Sequence, residues 1–542
     1  MIHRIVTALF LAALSLSAWA QNITGRVTSE GRPVEGVCVS DGVSIVRTDA
    51  DGRYALQSDK RQGFVFISTP AWYTVPLKDG LLPDFYRPLT EPAGVAETHD
   101  FQLIPQNQSC YTVLFASDIH IKNDPVLGDK RLFEAYALPN VKRVHARCAA
   151  DGPVVLFNLG DLAHDKVWYR FDWNIAKSRD YLRTCGYPGP LYSVMGNHDN
   201  DGAAVATPFA PDVDYNAERP YRDAMGPTYY SMNIGKDHWI MLDDVIYLNN
   251  PFDGAPTDPG LAGRRDYRIG LNADERAWLE KDLETVPEGM NVRVCAHAPF
   301  LFEWPKEKGT QFADSGEMDA IYGLFVSRFG RMTAYTGHSH RFQFAENPRY
   351  PLLHDLMVPA TSGNVWNTGE NQMLGIDASD AGIVSARFEG DKVTYGYHTH
   401  AYGEKWMRLY DMNTAVEYLR NDERVAKRMT RSSHITDYAA YTGKNEIYAN
   451  IWFWQPGWTV EMLEGSRRLK VERIDATDPL LLATRNPESY YKHERYVVNK
   501  HLFAATARSP RSTITVRILD EDGNLLHSEK MVRPKAFSLD ME

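Results

Sequence analysis

Through the middle of the chain one pattern recurs: a short, almost wholly apolar run that stops at a polar tip. Val113-Leu114-Phe115-Ala116 runs into Asp118-Ile119-His120, Val154-Val155-Leu156-Phe157 into Gly160-Asp161, and Leu191–Met195 into Gly196-Asn197-His198-Asp199. Trp239–Leu242 ends at Asp243-Asp244, Val292-Arg293-Val294-Cys295 leads to His297, and Met332–Tyr335 leads to Gly337-His338-Ser339-His340. Runs without polar alternation predict strands buried on both faces. Between them, helical spacing predicts helices over Asp129–Ala150, Asp172–Cys185, Ala273–Val286 and Glu317–Phe329. The third has Asn272 as its N-cap and Glu275 three residues later to complete a capping box. Strands alternating with helices predict an α/β core.

The flanks have another rhythm. From about 22 to 105, short β-prone runs such as Ile23-Thr24-Gly25-Arg26-Val27 alternate with turn signals at Gly31-Arg32-Pro33, Asp41-Gly42 and Asp51-Gly52, which predicts a small β-sandwich. After Gly363, Val393–Tyr397, Ile447–Trp454 and Thr513–Ile518 predict strands of a second β-rich domain, with a helical insert near Thr414–Met429. The expected organisation is therefore a leader over 1–20, a β-sandwich over 22–105, an α/β domain over 106–362 and a β-rich domain over 363–542.

Charge and cysteine content change this picture little. The 542 residues carry a formal net charge of -11, which argues against a nucleic-acid scaffold but leaves room for a small anionic substrate, since cations can supply positive charge locally. Arg4, the apolar stretch after it and Ser17-Ala18-Trp19-Ala20 form a cleavable export signal, so the mature chain is expected to start near Gln21 and to be periplasmic or secreted. The apolar stretch is too short for a membrane span. The 5 cysteines make no disulfide framework; Cys148 and Cys185 are the pair that could bridge, and no CxxC offers a thiolate zinc site.

The polar tips carry the chemistry. Open α/β sheets bind ligands beyond the carboxyl ends of their strands, so residues far apart in sequence meet in one crevice. Glycines before Asp161, Asn197 and His338 suit sharp turns and close backbone approach. The donors are carboxylate, amide and imidazole, which suit Mn, Fe or Zn, and they are too many for one ion. Two ions about 3.5–4 Å apart, sharing a carboxylate, would use them all, hold a hydroxide and clamp the attacking and leaving oxygens of a phosphoryl group.

In order and composition these tips resemble the motifs of the calcineurin-like metallophosphoesterase superfamily: D-x-H, G-D, G-N-H-[DE], H and G-H-x-H. The flanks are similar to the accessory domains of exported bacterial members, with His501-Leu502-Phe503 and Pro534-Lys535-Ala536-Phe537-Ser538 as further points of likeness. The resemblance implies an αββα sandwich, two packed mixed sheets flanked by helices. It implies two divalent or trivalent ions (Mn, Fe or Zn), the first held by Asp118, His120 and His340, the second by Asn197, His297 and His338, with Asp161 bridging. It also implies a bridging hydroxide as nucleophile, His198 as general acid and Asp199 as the residue that orients it. Two departures narrow the subfamily. Purple acid phosphatases carry Tyr where this chain has His164, and protein phosphatases carry Asp-Arg-Gly where it has Leu162-Ala163-His164-Asp165, so an iron–phenolate centre and a phosphoprotein substrate are not expected.

The activity expected is hydrolysis of a small phosphomonoester. Alternatives are a phosphodiesterase using the same site, or a non-catalytic surface-binding protein with a vestigial one. His164, Tyr229 and Trp366 are candidate substrate contacts, Asp165 a local hydrogen-bonding residue, Asp243 and Asp244 structural acids, and Asn200–Gly226 a long specificity loop.

Overall fold

The computed structural model describes residues 21–203, 212–248, 266–304, 307–366, 373–425, 436, 438, 440–484 and 498–539; the leader lies outside them. Among the described residues, no helix is long and apolar enough to cross a membrane.

The middle of the chain runs β1 (Cys110–Ala116), α1 (Leu138–Ala149), β2 (Val154–Leu159), α2 (Ile175–Thr184), β3 (Leu191–Val194), α3 (Val213–Met225), β4 (Tyr230–Ile234), β5 (Asp237–Met241), α4 (Ala273–Thr285), β6 (Asn291–Cys295), α5 (Ser315–Phe329), β7 (Met332–Thr336), β8 (Gln343–Ala345), β9 (Leu353–Met357), β10 (Gly382–Glu389) and β11 (Lys392–Thr399). One sheet has 5 strands in the order β3-β2-β1-β10-β11, and the other has 6 in the order β4-β5-β6-β7-β9-β8. β1, β2 and β3 are parallel, as are β5, β6, β7 and β9. Parallel strands covered on both faces must be apolar throughout, which explains the unbroken runs in the sequence. Between the sheets, Phe115 of β1 stacks on Tyr335 of β7 at 4.5 Å, and Phe157 of β2 meets Trp239 of β5 edge-on at 5.0 Å. The expected two-sheet α/β core with β-rich flanks is what forms.

Several expectations differ from the structure. The central sheet takes strands from beyond residue 362: β10 pairs antiparallel with β1 from Cys110↔Glu389 to Phe115↔Val384, and β11 pairs with β10. The pairing is non-local, so no local pattern marks it. The stretch 200–226 is not all loop, because α3 occupies Val213–Met225 and buries Ala217, Tyr221, Ala224 and Met225. That is an i, i+4, i+7, i+8 stripe, masked in sequence by Pro220 inside the helix. The helix expected over 129–150 has a π segment at Phe133–Ala137, just before Pro139, whose ring removes the donor an α-turn would need there. Asn272 does cap α4 by accepting from Glu275 N–H at 2.9 Å, but the Glu275 carboxylate accepts from Asp243 N–H at 2.8 Å rather than closing the box.

The N-terminal region is a pair of sheets with 6 and 4 strands, packed on the α/β core. Trp278 Nε1 donates to Ser40 Oγ at 3.2 Å, and Asn233 N–H donates to Thr69 carbonyl at 2.8 Å. The C-terminal region has two 4-stranded sheets, and the expected helical insert includes a helix over Met412–Asn421, with residues 426–430 outside the described set. All five cysteines are free thiols, so Cys148 and Cys185 do not bridge.

Candidate metal centre

Each polar tip leaves a strand end at the same rim. Asp118 and His120 follow β1, Asp161 follows β2, Asn197 and His198 follow β3, His297 follows β6, and His338 and His340 follow β7. Backbone hydrogen bonds tie the first two loops together, Asp118 N–H to Gly160 carbonyl at 3.0 Å and His120 N–H to Asp161 carbonyl at 2.9 Å. Asp118, His120, Asp161, His338 and His340 all adopt left-handed backbone, with φ between 50 and 64°. That conformation costs a non-glycine residue of order 1–3 kcal/mol, and such strain clusters at functional sites. Close packing explains the glycines: a Cβ on Gly196 would stand 2.3 Å from Asp161 Oδ1, and one on Gly337 would stand 1.8 Å from Ser117 Oγ.

The donors form two sets around Asp161. Asp118, His120, Asp161 and His340 make one, and Asp161, His297 and His338 the other. In the first, His120 Nε2 is 3.0 Å from His340 Nε2, and His340 Nε2 is 3.2 Å from Asp118 Oδ1. In the second, His297 Nε2 is 3.1 Å from His338 Nδ1 and 3.0 Å from Asn197 Oδ1.

These contacts bring like groups face to face. His120 Nδ1 donates to Ala163 carbonyl at 3.2 Å, His297 Nδ1 to Leu159 carbonyl at 2.7 Å and His340 Nδ1 to Gly363 carbonyl at 3.0 Å. With Nδ1–H so engaged, each neutral ring turns its Nε2 lone pair inward. In the neutral rings lone pair faces lone pair at His120 and His340, and His297 Nε2 meets both the Asn197 amide oxygen and the Asp161 carboxylate. Asp118 Oδ1 is buried without a hydrogen-bond partner, while its Oδ2 accepts from Ser117 Oγ and from His338 N–H at 3.0 Å. Acceptors converge on a buried space only where positive charge is to be held.

Titration follows the same logic. Burial pushes the Asp118 carboxyl up, but His340, His120 and His297 outweigh it and hold it well below the usual carboxylate range. Asp161 is held down likewise by His297, His198 and His120 against its burial. Burial opposes a charge on His297, yet Asp161 and Asp118 raise it to about 10. Burial, reinforced by the His297 charge, lowers His338 to about 3.

His198 stands beside these groups with its ring centroid 5.1 Å from that of His120. Its N–H donates to Asp161 Oδ1 at 2.7 Å, and its Nδ1 lies 2.5 Å from Asp165 Oδ1. The expectation that Asp199 orients His198 is corrected: the Asp199 carboxylate accepts the N–H groups of Ala163 at 2.9 Å and Gly196 at 3.0 Å, tying two loops together. Burial and the neighbouring Asp161 raise Asp199 to about 7.

The other candidates separate cleanly. His164 is at the site, its ring 4.1 Å from His198 and 5.2 Å from His120. Tyr229 is not: it is buried and its hydroxyl donates to Gly42 carbonyl at 2.8 Å, in the seam with the N-terminal domain. Trp366 is also buried rather than at a pocket mouth, with Nε1 donating to Ile119 carbonyl at 2.7 Å beneath the first loop. Asp244 Oδ1 accepts from His297 N–H at 3.2 Å and Ala298 N–H at 3.1 Å, the structural role expected. Sequence reasoning missed Tyr247, whose hydroxyl donates to Asn197 carbonyl at 2.6 Å and lies 3.4 Å from Asp165 Oδ2. Its apolar surroundings gave no sign of that role.

A rim of acceptors preset to hold cations, on a two-sheet α/β scaffold, defines a metal-binding hydrolase. Residues 111–342 match the family model for calcineurin-like phosphoesterase, residues 21–106 the model for its N-terminal part and residues 355–525 the model for its C-terminal part. The chain belongs to the calcineurin-like phosphoesterases and is a hydrolase of phosphoric esters. No curated protein matches it. Solved structures similar to it include a dimetal phosphatase from Danio rerio, at 12% identity over 53% of this chain and 95% of that one, with TM-score 0.33. The calcineurin-like phosphoesterase YfkN from Bacillus subtilis has 13% identity over 55% and 92%, with TM-score 0.26. The NAD nucleotidase of Haemophilus influenzae has 12% identity over 54% and 50%, with TM-score 0.27. Scores this low leave the family models as the basis of the assignment.

Proposed function

We propose that the protein is an exported phosphomonoesterase in which Asp118, His120, Asp161 and His340 hold one cation and Asp161, Asn197, His297 and His338 a second. One atom carries this reading: Asp161 Oδ2 lies 3.6 Å from His120 Nε2 and 3.3 Å from His297 Nε2, so a single oxygen serves both sets. Donors at such separations fit around ions bound at about 2.0–2.2 Å. Mn, Fe and Zn all accept imidazole and carboxylate. When bound, such a pair supplies charge to the phosphoryl oxygens and makes water nucleophilic at neutral pH.

The chain's own groups do the rest. Inward-facing imidazoles and Asp161 fix where the phosphoryl group sits. His198, protonated, gives its Nε2 proton to the oxygen of the departing alcohol, while Asp165 accepts from Nδ1, holds the ring and balances its charge. Phosphoryl transfer asks little of a protein beyond such positioning and electrostatics.

The test is turnover of an aryl phosphate and of its bis-aryl diester, with and without exhaustive chelation. Full activity after metal removal would overturn the reading, and a faster diester would make the enzyme a phosphodiesterase using the same residues. Export is checked by sequencing the mature N-terminus, with a start near Gln21 expected and an intact Met1 counting against it.

A further inference from the structure

The loop that leaves His120 opens into a cavity of about 540 Å³ lined by Asn123, Asp124, Lys130, Arg131 and Phe171, among others. Asn123 follows His120 by three residues, so the cavity begins within about 11 Å of that donor. The acids around it are turned to internal use. Asp129 accepts the N–H groups of Lys122, Asn123 and Asp124 at 2.6, 2.9 and 2.7 Å. Asp124 Oδ1 accepts those of Val126 and Leu127 at 2.8 and 3.2 Å, and Glu134 accepts the Tyr181 hydroxyl at 2.7 Å. The bases have no such partners. Among the described residues Lys130, Arg131 and Arg170 enter no ion pair and donate no side-chain hydrogen bond. Lys130 Nζ is held over the Trp173 and Tyr181 rings at 4.9 and 4.8 Å. The exposed Arg170 guanidinium lies 5.2 Å from the centroid of Phe171, a wall of the cavity. Aromatic faces steady these cations without using up their N–H donors.

We propose that this cavity is a subsite for a second oxyanion, so that the leaving alcohol of the preferred phosphoester carries its own phosphate or carboxylate. The proposal rests on the phosphoesterase reading of the neighbouring centre. Guanidinium and ammonium groups around a cavity that starts three residues beyond His120 recognise oxyanions by charge-assisted hydrogen bonds.

The experiment compares kcat/KM for matched pairs with Mn²⁺: fructose 1,6-bisphosphate against fructose 6-phosphate for a second phosphate, and 3-phosphoglycerate against glycerol 1-phosphate for a carboxylate. The expected result is a preference of about tenfold or more for the doubly anionic member of at least one pair, lower at high salt, and lost in Lys130→Gln/Arg131→Gln/Arg170→Gln. Which pair shows it identifies the oxyanion. Equal kcat/KM within both pairs, or a preference that survives the triple substitution, overturns the subsite. If nothing is turned over, calorimetric binding of the same four compounds to Mn²⁺-loaded His198→Ala decides separately. A binding preference removed by the triple substitution keeps the subsite while the phosphoesterase reading fails, and no preference sinks the subsite.

Discussion

Asp165 Oδ1 stands 2.5 Å from Nδ1 of His198, and the Asp165 N–H donates to the carbonyl of the same residue at 3.0 Å. Two contacts from one residue fix both the ring and the backbone of the proposed general acid. Asp165→Asn should lower kcat about 10²–10⁴-fold, because the amide cannot balance an imidazolium as a carboxylate does. The loss should be smaller for p-nitrophenyl phosphate, whose leaving group needs little protonation, than for an alkyl phosphate. An equal loss on both substrates would place Asp165 outside proton transfer.

Asp199 should behave differently. Its two oxygens accept N–H groups from two loops, and an amide offers one acceptor oxygen in place of two. Asp199→Asn should cost about 1–3 kcal/mol of stability by orphaning a buried N–H. Thermal melting reads that effect, and the leaving-group dependence of kcat should stay that of the parent.

Asp161 is the residue both donor sets share. Asp161→Asn should bring bound metal, measured by elemental analysis after dialysis, from about two ions per chain to one or fewer, with activity falling in step. Two tightly held ions in that variant would refute the shared-oxygen arrangement.

Acid should weaken the fold through a histidine outside the donor sets. His400 is half-buried, with its Nε2 donating to Thr361 carbonyl at 3.2 Å and its Nδ1 accepting from Asn140 Nδ2 at 3.0 Å. Burial lowers its pKa to about 3. Unfolded, it takes a proton near pH 6.5. As pH falls below that value the unfolded chain gains a proton the native state refuses, so stability present above pH 6.5 is lost progressively toward pH 3. The loss is about 2 kcal/mol by pH 5. In metal-stripped protein, the fall in melting temperature between pH 7.5 and 5 should be smaller in His400→Gln than in the parent. Equal falls would remove His400 from the account.

The donor set was legible because strand ends, glycines and residue types coincide: an apolar run cut short by Gly196-Asn197-His198 has few structural meanings. The partner of His198 was not. Asp199 adjoins His198 in sequence while Asp165 lies 33 residues away, and only the fold of the 3₁₀ segment Asp165–Val167 against the β3 loop brings the distant carboxylate to the ring. Tyr229 and Trp366 failed as pocket residues because sequence does not distinguish a buried aromatic from one at a rim. α3 was hidden by Pro220, whose local meaning as a breaker was overridden by the apolar stripe around it.

The hairpin from Gly382 to Thr399 shields β1, the strand that delivers Asp118 and His120. A protein truncated at residue 362 would present the naked backbone of Cys110–Ala116, a long apolar rim, to any neighbouring molecule, and such rims nucleate aggregation. Anyone excising the hydrolase for study has to carry the chain through Thr399, and a shorter piece that precipitates would speak of lost pairing rather than of lost chemistry.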